Sequence, residues 1–257
     1  MGLSTPAIPR RLQSLARTVA WGLGLLLSLR LSWLIRRLLA PLVPEVLFCA
    51  RGPTESEAKL VALTIDDGPS GAGSLELLDL LRDLRVPATL FLIGEHLSRG
   101  GAGFVVRALA EGHQIGNHME EDCVSARLAP EVFLDQLRRT DTALRTAAAP
   151  CSLALHWFRP GGGWFHRAML ETVGAEGYRL VLGSVFPFDT NHPPLWFLRR
   201  FLLANVHPGA ILVLHDRPDT ITATLHTLRA VVPELRRRGY RFVSLDQLGS
   251  RSSRLAA

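Results

Sequence analysis

The amino-acid sequence predicts an α/β protein in which parallel strands are joined by helical crossovers. From Lys59 onward, short apolar segments alternate with amphipathic helical segments, which is typical of parallel sheets. About seven such units follow Lys59, and this number suits a small or incomplete β/α barrel. A doubly wound open sheet is the alternative. The chain has 257 residues, 47% of them hydrophobic, so it can bury a substantial core.

The predicted elements follow one another at short intervals. Runs rich in branched and apolar residues predict strands, and apolar residues spaced three and four apart predict helices. Strands are predicted at 61–65, 88–93, 114–117, 155–159, 178–182, 210–214 and 240–245, and helices at 75–84, 104–111, 130–146, 168–173 and 222–238.

The first forty residues differ in character from the rest of the chain. Residues 1–17 are polar and rich in arginine, and we expect them to be disordered. Residues 18–40 predict an apolar helix, with Arg30 as the one charge before position 36. The apolar run is only just long enough to span a bilayer, so a membrane anchor and an interfacial amphipathic helix both remain open.

Three further segments complete the predicted organisation. Proline residues at positions 41 and 44 break the helical pattern, and we interpret 41–58 as a linker. Residues 59–249 are predicted to form the catalytic domain, and 250–257 a tail. The sequence gives no prediction of oligomeric state.

Charge and cysteine content exclude two classes of function. The formal net charge of +6 rests almost entirely on arginine, and no basic stripe interleaved with aromatic residues appears, so we do not expect nucleic-acid binding. The cysteines at 49, 123 and 151 lack CxxC spacing, and therefore predict neither a disulfide framework nor a cysteine zinc site.

The most informative segment is an apolar strand that ends in two adjacent carboxylates, Asp66 and Asp67, followed by Gly68 and Pro69. The carboxyl ends of core strands are where α/β folds build active sites. Adjacent anions repel unless one binds a cation or a proton. The pair would be stable if one carboxylate is a metal ligand and its neighbour acts as a base. The alternative is a helix N-cap.

A second candidate site contains His118 and Asp122, which are four residues apart. On a helical turn this spacing would place both side chains on one side. Imidazole and carboxylate can bind one divalent ion, and Asp67 would then be the third ligand, with positions left open for water. The alternatives are a hydrogen-bonded turn histidine and a helix-capping aspartate.

Two further strands end in polar side chains. Arg159 follows one of them, where it could hold Asp66 by a paired hydrogen bond and lower the pKa of that carboxyl group. The following Gly161 and Gly162 let backbone N–H groups approach a ligand. His215 ends another strand and supplies a group that titrates near neutral pH.

In order, these segments are Thr-Ile-Asp-Asp-Gly-Pro-Ser, Gly-His-Gln-Ile-Gly-Asn-His, Arg-Pro and Leu-Val-Leu-His-Asp. The set resembles the polysaccharide deacetylase (NodB-homology, chitin deacetylase-like) family over about 60–248. The resemblance implies a distorted (β/α)7 barrel and metal-dependent removal of acetyl groups from sugar polymers. It implies site roles as follows: Asp66 the base, Asp67 and His118 metal ligands, Arg159 the residue that orients the base, His215 the general acid, Asp189 its supporting carboxylate and Leu214 an apolar wall for the acetyl methyl group.

The chain departs from the family pattern at several positions around the site. Asp122 stands where the family has a second metal histidine. Gly161 and Gly162 replace a proline and an aromatic residue, and Trp164 or Phe165 is expected to supply the missing ring. At the remaining two positions, an aspartate is replaced by Phe186 and a common tryptophan by Thr190.

The sequence therefore predicts a hydrolase that removes acetyl groups from a chitin- or peptidoglycan-like glycan containing N-acetylglucosamine. It would use Asp67, His118 and Asp122 to hold one divalent ion, zinc first, with cobalt, manganese or nickel as alternatives. The alternatives in function are an esterase acting on O-acetyl groups and a catalytically inactive, membrane-tethered glycan-binding protein. We expect membrane association through the N-terminal segment, with the catalytic domain outside the cytoplasm.

Overall fold

An eight-stranded sheet forms the centre of the computed structural model, which describes residues 21–22, 24, 34–50, 59–98, 101–149 and 151–254. The strands are short, and the longest is the one that carries the paired aspartates. They are β1 (Val46–Leu47), β2 (Lys59–Gly68), β3 (Ala88–Leu92), β4 (Gln114–Asn117), β5 (Trp157–Phe158), β6 (Arg179–Val181), β7 (Ala210–His215) and β8 (Tyr240–Val243).

All strand pairs are parallel, in the order β1-β6-β5-β4-β3-β2-β7, and β8 pairs with the first residues of β2. The two ends of this sheet are linked by hydrogen bonds. The N–H of Val213 donates to the carbonyl of Val185, just after β6, at 3.0 Å, and the N–H of Ala50, just after β1, donates to Gly209 at 2.9 Å. The sheet therefore curls into a barrel, which confirms the predicted barrel over the open sheet.

Helices cover the outside of the curled sheet. The longer ones are α1 (Ala72–Asp83), α2 (Gly101–Ala110), α3 (Pro130–Ala148), α4 (Arg167–Ala175), α5 (Leu195–Asn205), α6 (Ile221–Arg237) and α7 (Leu245–Arg254). α3 begins with a proline, which lacks the N–H that would be unpaired at that position.

Side chains alternate between the two faces of each strand. On β2, Val61, Leu63 and Ile65 lie in the large core cluster that includes residues of the helices. Ala62 lies in the smaller cluster, with Ile211 of β7. Because of this alternation, the side chains at 64 and 66 lie on the same face as Ala62, which is the inner face of the barrel. The paired aspartates therefore begin where an inward-facing row of side chains reaches the end of the barrel.

The structure adds elements that the sequence pattern did not predict. β1 lies within the segment 41–58 that was interpreted as a linker, and α5 lies between two predicted strands. α7 extends to residue 254, into the predicted tail.

The N-terminal prediction is tested only in part. Residues 1–17 and most of the predicted helix 18–40 lie outside the described residues. The described part contains a short helical segment, Ile35–Leu39 in π form followed by Ala40–Leu42. Trp21 packs against Phe197 of α5, with ring centroids 4.8 Å apart. In the portions of the chain that are described, no helix is long and apolar enough to cross a membrane.

Candidate active site

The ends of β2, β4, β5 and β7 bring the motifs of the sequence together. Asp66 is in register with His215 across β2 and β7, and the N–H of Arg159 donates to the carbonyl of Asn117, the residue before His118, at 3.1 Å. A cavity of about 730 Å³ opens at this end of the barrel. The polar residues that line it include Asp66, Asp67, His118, Arg159, His215 and Arg217.

Asp66 and Arg159 form a buried ion pair in the wall of this cavity. Nη1 of Arg159 donates to Oδ1 of Asp66 at 2.6 Å and to Oγ1 of Thr64 at 2.8 Å. Nε of the same guanidinium donates to the carbonyl of Val181 at 3.1 Å, and its central carbon lies 4.2 Å from the centroid of the Phe91 ring. Both charged side chains are almost fully buried. Only Nη1 of Arg159 binds the carboxylate, at Oδ1, so the paired hydrogen bond predicted for Arg159 and Asp66 is wrong, and Oδ2 has no hydrogen bond from the guanidinium.

His215 faces Asp66 from the end of β7. Its Nδ1–H and its backbone N–H both donate to Asp189, each at 2.9 Å. The other ring nitrogen, Nε2, lies 4.0 Å from Oδ2 of Asp66. Burial lowers the pKa of His215, but the hydrogen bond and charge of Asp189, with further help from Asp66, outweigh burial and raise it to about 9. The imidazole is therefore held in its protonated form at neutral pH.

Asp67 and His118 form a second contact at the same end of the barrel. The Nδ1–H of His118 donates to the carbonyl of Arg159 at 2.7 Å, which directs Nε2 toward Oδ1 of Asp67 at 3.1 Å. Asp67 adopts a left-handed backbone conformation, with φ of 70°, which is uncommon for residues other than glycine. Burial raises the pKa of Asp67, but the hydrogen bond to His118 and the surrounding positive charges hold it below its ordinary range.

Asp122 does not join Asp67 and His118 in the way the sequence predicted. The segment after His118 is a bend rather than a helical turn, and Met119 within it has φ of 72°. The four-residue spacing therefore does not bring Asp122 beside His118. Its half-exposed carboxylate accepts a hydrogen bond from Nη1 of Arg217 at 2.7 Å. Across the described ranges, no group of three or more His, Cys, Asp or Glu side chains is placed to hold a metal ion.

Arg217 is a site residue that sequence reasoning missed. The same Nη1 atom that contacts Asp122 also lies 3.2 Å from Oδ2 of Asp67. Two signals could have found this residue. It follows the His-Asp pair of the last motif directly, and a negative Asp122 in place of a neutral histidine calls for a nearby cation.

The structure corrects the prediction for Leu214. Leu214 is fully buried in the cluster that faces the helices, because side chains alternate along β7. Its neighbour Val213 points the other way and lines the cavity, together with Phe186. The apolar wall is therefore supplied by Val213, one residue earlier than predicted.

In the glycine turn after Arg159, the first glycine packs against the protein and the following residues line the cavity. The N–H of Gly161 donates to Oγ of Ser125 at 2.8 Å, so it is not free to bind a ligand. A Cβ at position 161 would overlap the carbonyl oxygen of Cys123, which explains why glycine stands where the resembled family has proline. Gly162 and Trp164 line the cavity, and Trp164 is 71% exposed at its rim.

Asp216, the residue after β7, is hydrogen-bonded to β2 and to the loop that follows β2. It is buried, and the hydroxyl of Ser70 donates to its Oδ1 at 2.6 Å. Its backbone N–H donates to the carbonyl of Asp66 at 2.8 Å. A Cβ at Gly68 would lie 2.7 Å from Oδ2 of Asp216, so glycine at 68 allows the loop after β2 to pack closely here.

Known proteins resemble this chain in both sequence and fold. The family model described as polysaccharide deacetylase matches residues 54–181. A peptidoglycan-N-acetylglucosamine deacetylase of Bacillus cereus is 32% identical over 192 residues, covering 74% of this chain and 88% of the relative. A chitooligosaccharide deacetylase of a Bradyrhizobium species is 34% identical over 204 residues, covering 75% and 92%. The crystal structure of the Bc1960 peptidoglycan N-acetylglucosamine deacetylase superimposes with a TM-score of 0.71 at 28% identity, over 79% of this chain and 92% of that one.

Proposed function

This chain belongs to the polysaccharide deacetylase family, and we propose that it hydrolyses the acetamido group of N-acetylglucosamine units in a chitin- or peptidoglycan-like glycan. One observation carries this proposal. A buried carboxylate, oriented by an arginine, lies 4.0 Å from a histidine whose pKa Asp189 raises to about 9, and both line one cavity. Such a pair supplies the base and the acid that amide hydrolysis requires.

Asp66 is the base in this proposal. Arg159 binds Oδ1 and leaves Oδ2 directed toward the cavity and His215. Oδ2 would accept a proton from a water molecule as the water oxygen attacks the acetyl carbon. Because Thr64, Val181 and Phe91 fix the guanidinium, the carboxylate is oriented before substrate binds.

His215 is the general acid. Its Nε2–H would protonate the amine nitrogen as the C–N bond breaks, releasing acetate and leaving a free amine on the sugar. The raised pKa keeps this proton available at neutral pH. Asp189 fixes the tautomer and the ring orientation, because it binds both Nδ1 and the backbone N–H of His215.

A divalent metal ion is part of the proposal, zinc first, with cobalt, manganese or nickel as alternatives. The donor chemistry fits, because carboxylate oxygen and imidazole nitrogen suit these ions. The bond from Nδ1 of His118 to a backbone carbonyl leaves Nε2 free to ligate, as is usual for metal-binding histidines. Asp67 and His118 would hold the ion, with Asp122 as a third ligand when it is released from Arg217. When bound, the ion would polarise the acetyl carbonyl.

The substrate side of the cavity is proposed from its lining. Val213 and Phe186 would contact the acetyl methyl group, and Trp164 at the exposed rim would stack on a sugar ring. The backbone at Gly162 lies beside the same space and would allow the glycan to approach closely.

The location of the protein is also a proposal. Leu38 and Leu42 expose 50% and 75% of their surface on the short helical segment that precedes β1. The exposed Arg37 directly precedes Leu38. Leucine and arginine side chains together favour an interfacial membrane helix. We propose that this segment associates with a membrane and that the catalytic domain acts on glycan outside the cytoplasm.

The test measures acetate and free amine together. Purified protein is supplied with zinc or cobalt and incubated with N-acetylglucosamine oligomers, peptidoglycan fragments and O-acetylated xylan. We expect equal amounts of acetate and free amine from an N-acetylated substrate. Acetate from xylan without any amine from the N-acetylated glycans would identify an esterase. Glycan binding without acetate release would identify an inactive binding protein.

A further inference from the structure

Arg217 places a permanent positive charge among the residues assigned to metal binding. Its Nη1 atom lies within hydrogen-bond distance of Oδ2 of Asp67 and of Oδ2 of Asp122, at 3.2 Å and 2.7 Å. We propose that Arg217 competes with the divalent ion for Asp67 and Asp122, and so sets the metal affinity of this site. The inference rests on the proposed function, which assigns these carboxylates to a metal ion.

The first argument is that both oxygens of the Asp67 carboxylate already have a partner. One oxygen contacts His118 and the other contacts Arg217. The Asp67 side chain is only 7% exposed and the Arg217 side chain 35%, so water screens the pair from the Arg217 side only. A divalent ion at this carboxylate would face the guanidinium at close range, and like charges repel strongly where water is scarce. Metal binding therefore requires the guanidinium to withdraw.

The second argument is charge balance. Asp122 carries a negative charge where the resembled family has a neutral histidine. Arg217 carries a positive charge and binds that carboxylate directly. Together the two residues add no net charge to the site, as a neutral histidine alone would. Asp122 and Arg217 therefore function as a pair, and changing either one alone alters the charge that a metal ion meets.

The third argument is that the backbone of Arg217 is fixed while its side chain has somewhere else to go. The carbonyl of Arg217 accepts hydrogen bonds from the N–H groups of Thr220 and Ile221, at the start of α6. Its Nε already lies 3.6 Å from a carboxylate oxygen of Asp219, which is exposed. A guanidinium displaced from Asp67 can thus remain paired with Asp219. Withdrawal needs only side-chain rotation, which is compatible with reversible exchange between arginine and metal.

The experiment measures metal affinity directly, without any substrate. Purified full-length protein is stripped of metal and titrated with zinc against a chromophoric chelator, and with cobalt by its visible absorption. We expect Arg217→Gln to bind both ions at least tenfold more tightly than the unaltered chain. Arg217→Met gives a second neutral variant in case one folds poorly, and circular dichroism checks folding. Arg138→Gln removes an exposed arginine that pairs with Glu176 on the outer surface, and should leave affinity unchanged.

Double variants test the pairing of the two residues. Arg217→Gln with Asp122→Ala should lose most of the gain, because the third ligand is then absent. Asp122→His alone should bind metal no better than the unaltered chain, because Arg217 still faces Asp67. Asp122→His with Arg217→Gln should bind at least tenfold more tightly than either parent. Unchanged or weaker binding in both Arg217→Gln and Arg217→Met would overturn the inference.

These outcomes are separable from a failure of the proposed function. Metal affinity is read without acetate release, so tighter binding in Arg217→Gln supports the competition even if no glycan is deacetylated. Conversely, a chain that releases acetate but shows no change in affinity in the neutral variants retains the proposed function and loses this inference.

Discussion

The two halves of the candidate site are built differently. In the half that contains Asp66, Arg159 and His215, the ion pair of Asp66 and Arg159 is buried, and the imidazole of His215, 11% exposed, is held by the buried Asp189. In the other half, Asp67 and His118 are buried, but the carboxylate of Asp122 lies half-exposed on a bend and is held by a partly exposed arginine. Groups that transfer protons must be fixed in position, whereas a carboxylate shared between two cations must be able to change partner. The difference fits the proposed roles, with a rigid half for proton transfer and an adjustable half for cation binding.

The largest expected effect is in the rigid half, at Asp66. Asp66→Asn keeps the shape of the side chain but removes the proton acceptor, and we expect acetate release to fall by roughly 10²–10⁴-fold. Metal affinity should change little, because the ligands assigned to the ion are other residues. Acetate assays and zinc titration on the same preparation measure both. Asp135→Asn, on the exposed face of α3, is the matched control. Acetate release at the normal rate by Asp66→Asn would remove Asp66 from the mechanism.

The next effect is on stability and again concerns the rigid half. Arg159→Gln removes the cation that binds Oδ1 of Asp66 and leaves only His215, at 4.0 Å from Oδ2, to compensate the buried charge. Breaking a buried pair in this way costs about 3–5 kcal/mol of unfolding free energy. Arg138→Gln breaks an exposed pair with Glu176 and should cost about 0–1 kcal/mol. Urea denaturation of the three proteins gives the comparison. Equal losses in the two variants would show that the buried Asp66 pair contributes no more to stability than the exposed pair.

The third prediction uses the pKa of His215, which Asp189 helps to raise to about 9. A general acid must be protonated, so acetate release should fall as the pH rises through this pKa. Asp189→Asn removes the charge that stabilises the imidazolium, and the pKa of His215 then falls. The alkaline limb of the activity profile should therefore move to lower pH by about one unit or more. The profile of kcat/KM against pH measures it. A limb that stays in place would assign the titration to another group.

The sequence predicted the positions of the strand ends well because apolar runs that stop at charged residues are local signals. The contact between Arg159 and Asp66 was expected from two such ends. Other features depend on long-range packing. β1 has only two residues, which is too few for a period. α5 buries its phenylalanine and leucine side chains on one face, but the exposed Trp196 is an apolar residue outside that face and obscures the period in the sequence. At Leu214 the prediction was off by one residue, and in a strand a shift of one reverses the face.

The site of Asp122 shows a different limit. A spacing of four residues implies a shared face only if the backbone is helical, and Met119 leaves the helical region with φ of 72°. The partner of Asp122 comes from a segment 95 residues later in the chain. No local pattern specifies such a pair, although the unusual charge at position 122 gives a reason to look for a cation.

The smallest expected effect concerns the loop that carries Asp122 and how firmly it is attached to the rigid half. A Cβ at position 161 would overlap the carbonyl of Cys123, the residue after Asp122. Gly161→Ala should therefore push this loop away from Arg159 and lower the unfolding free energy by about 1–3 kcal/mol. Gly103, inside α2, has open space around it, so Gly103→Ala should raise stability by roughly 0.5–1 kcal/mol. Urea denaturation measures both. Zinc affinity of Gly161→Ala then sharpens the comparison: it should change, because Asp122 moves relative to Asp67, while the orientation of Asp66 by Arg159 stays as it was. If zinc affinity stayed constant while stability fell, the position of the loop would not control the cation-binding half.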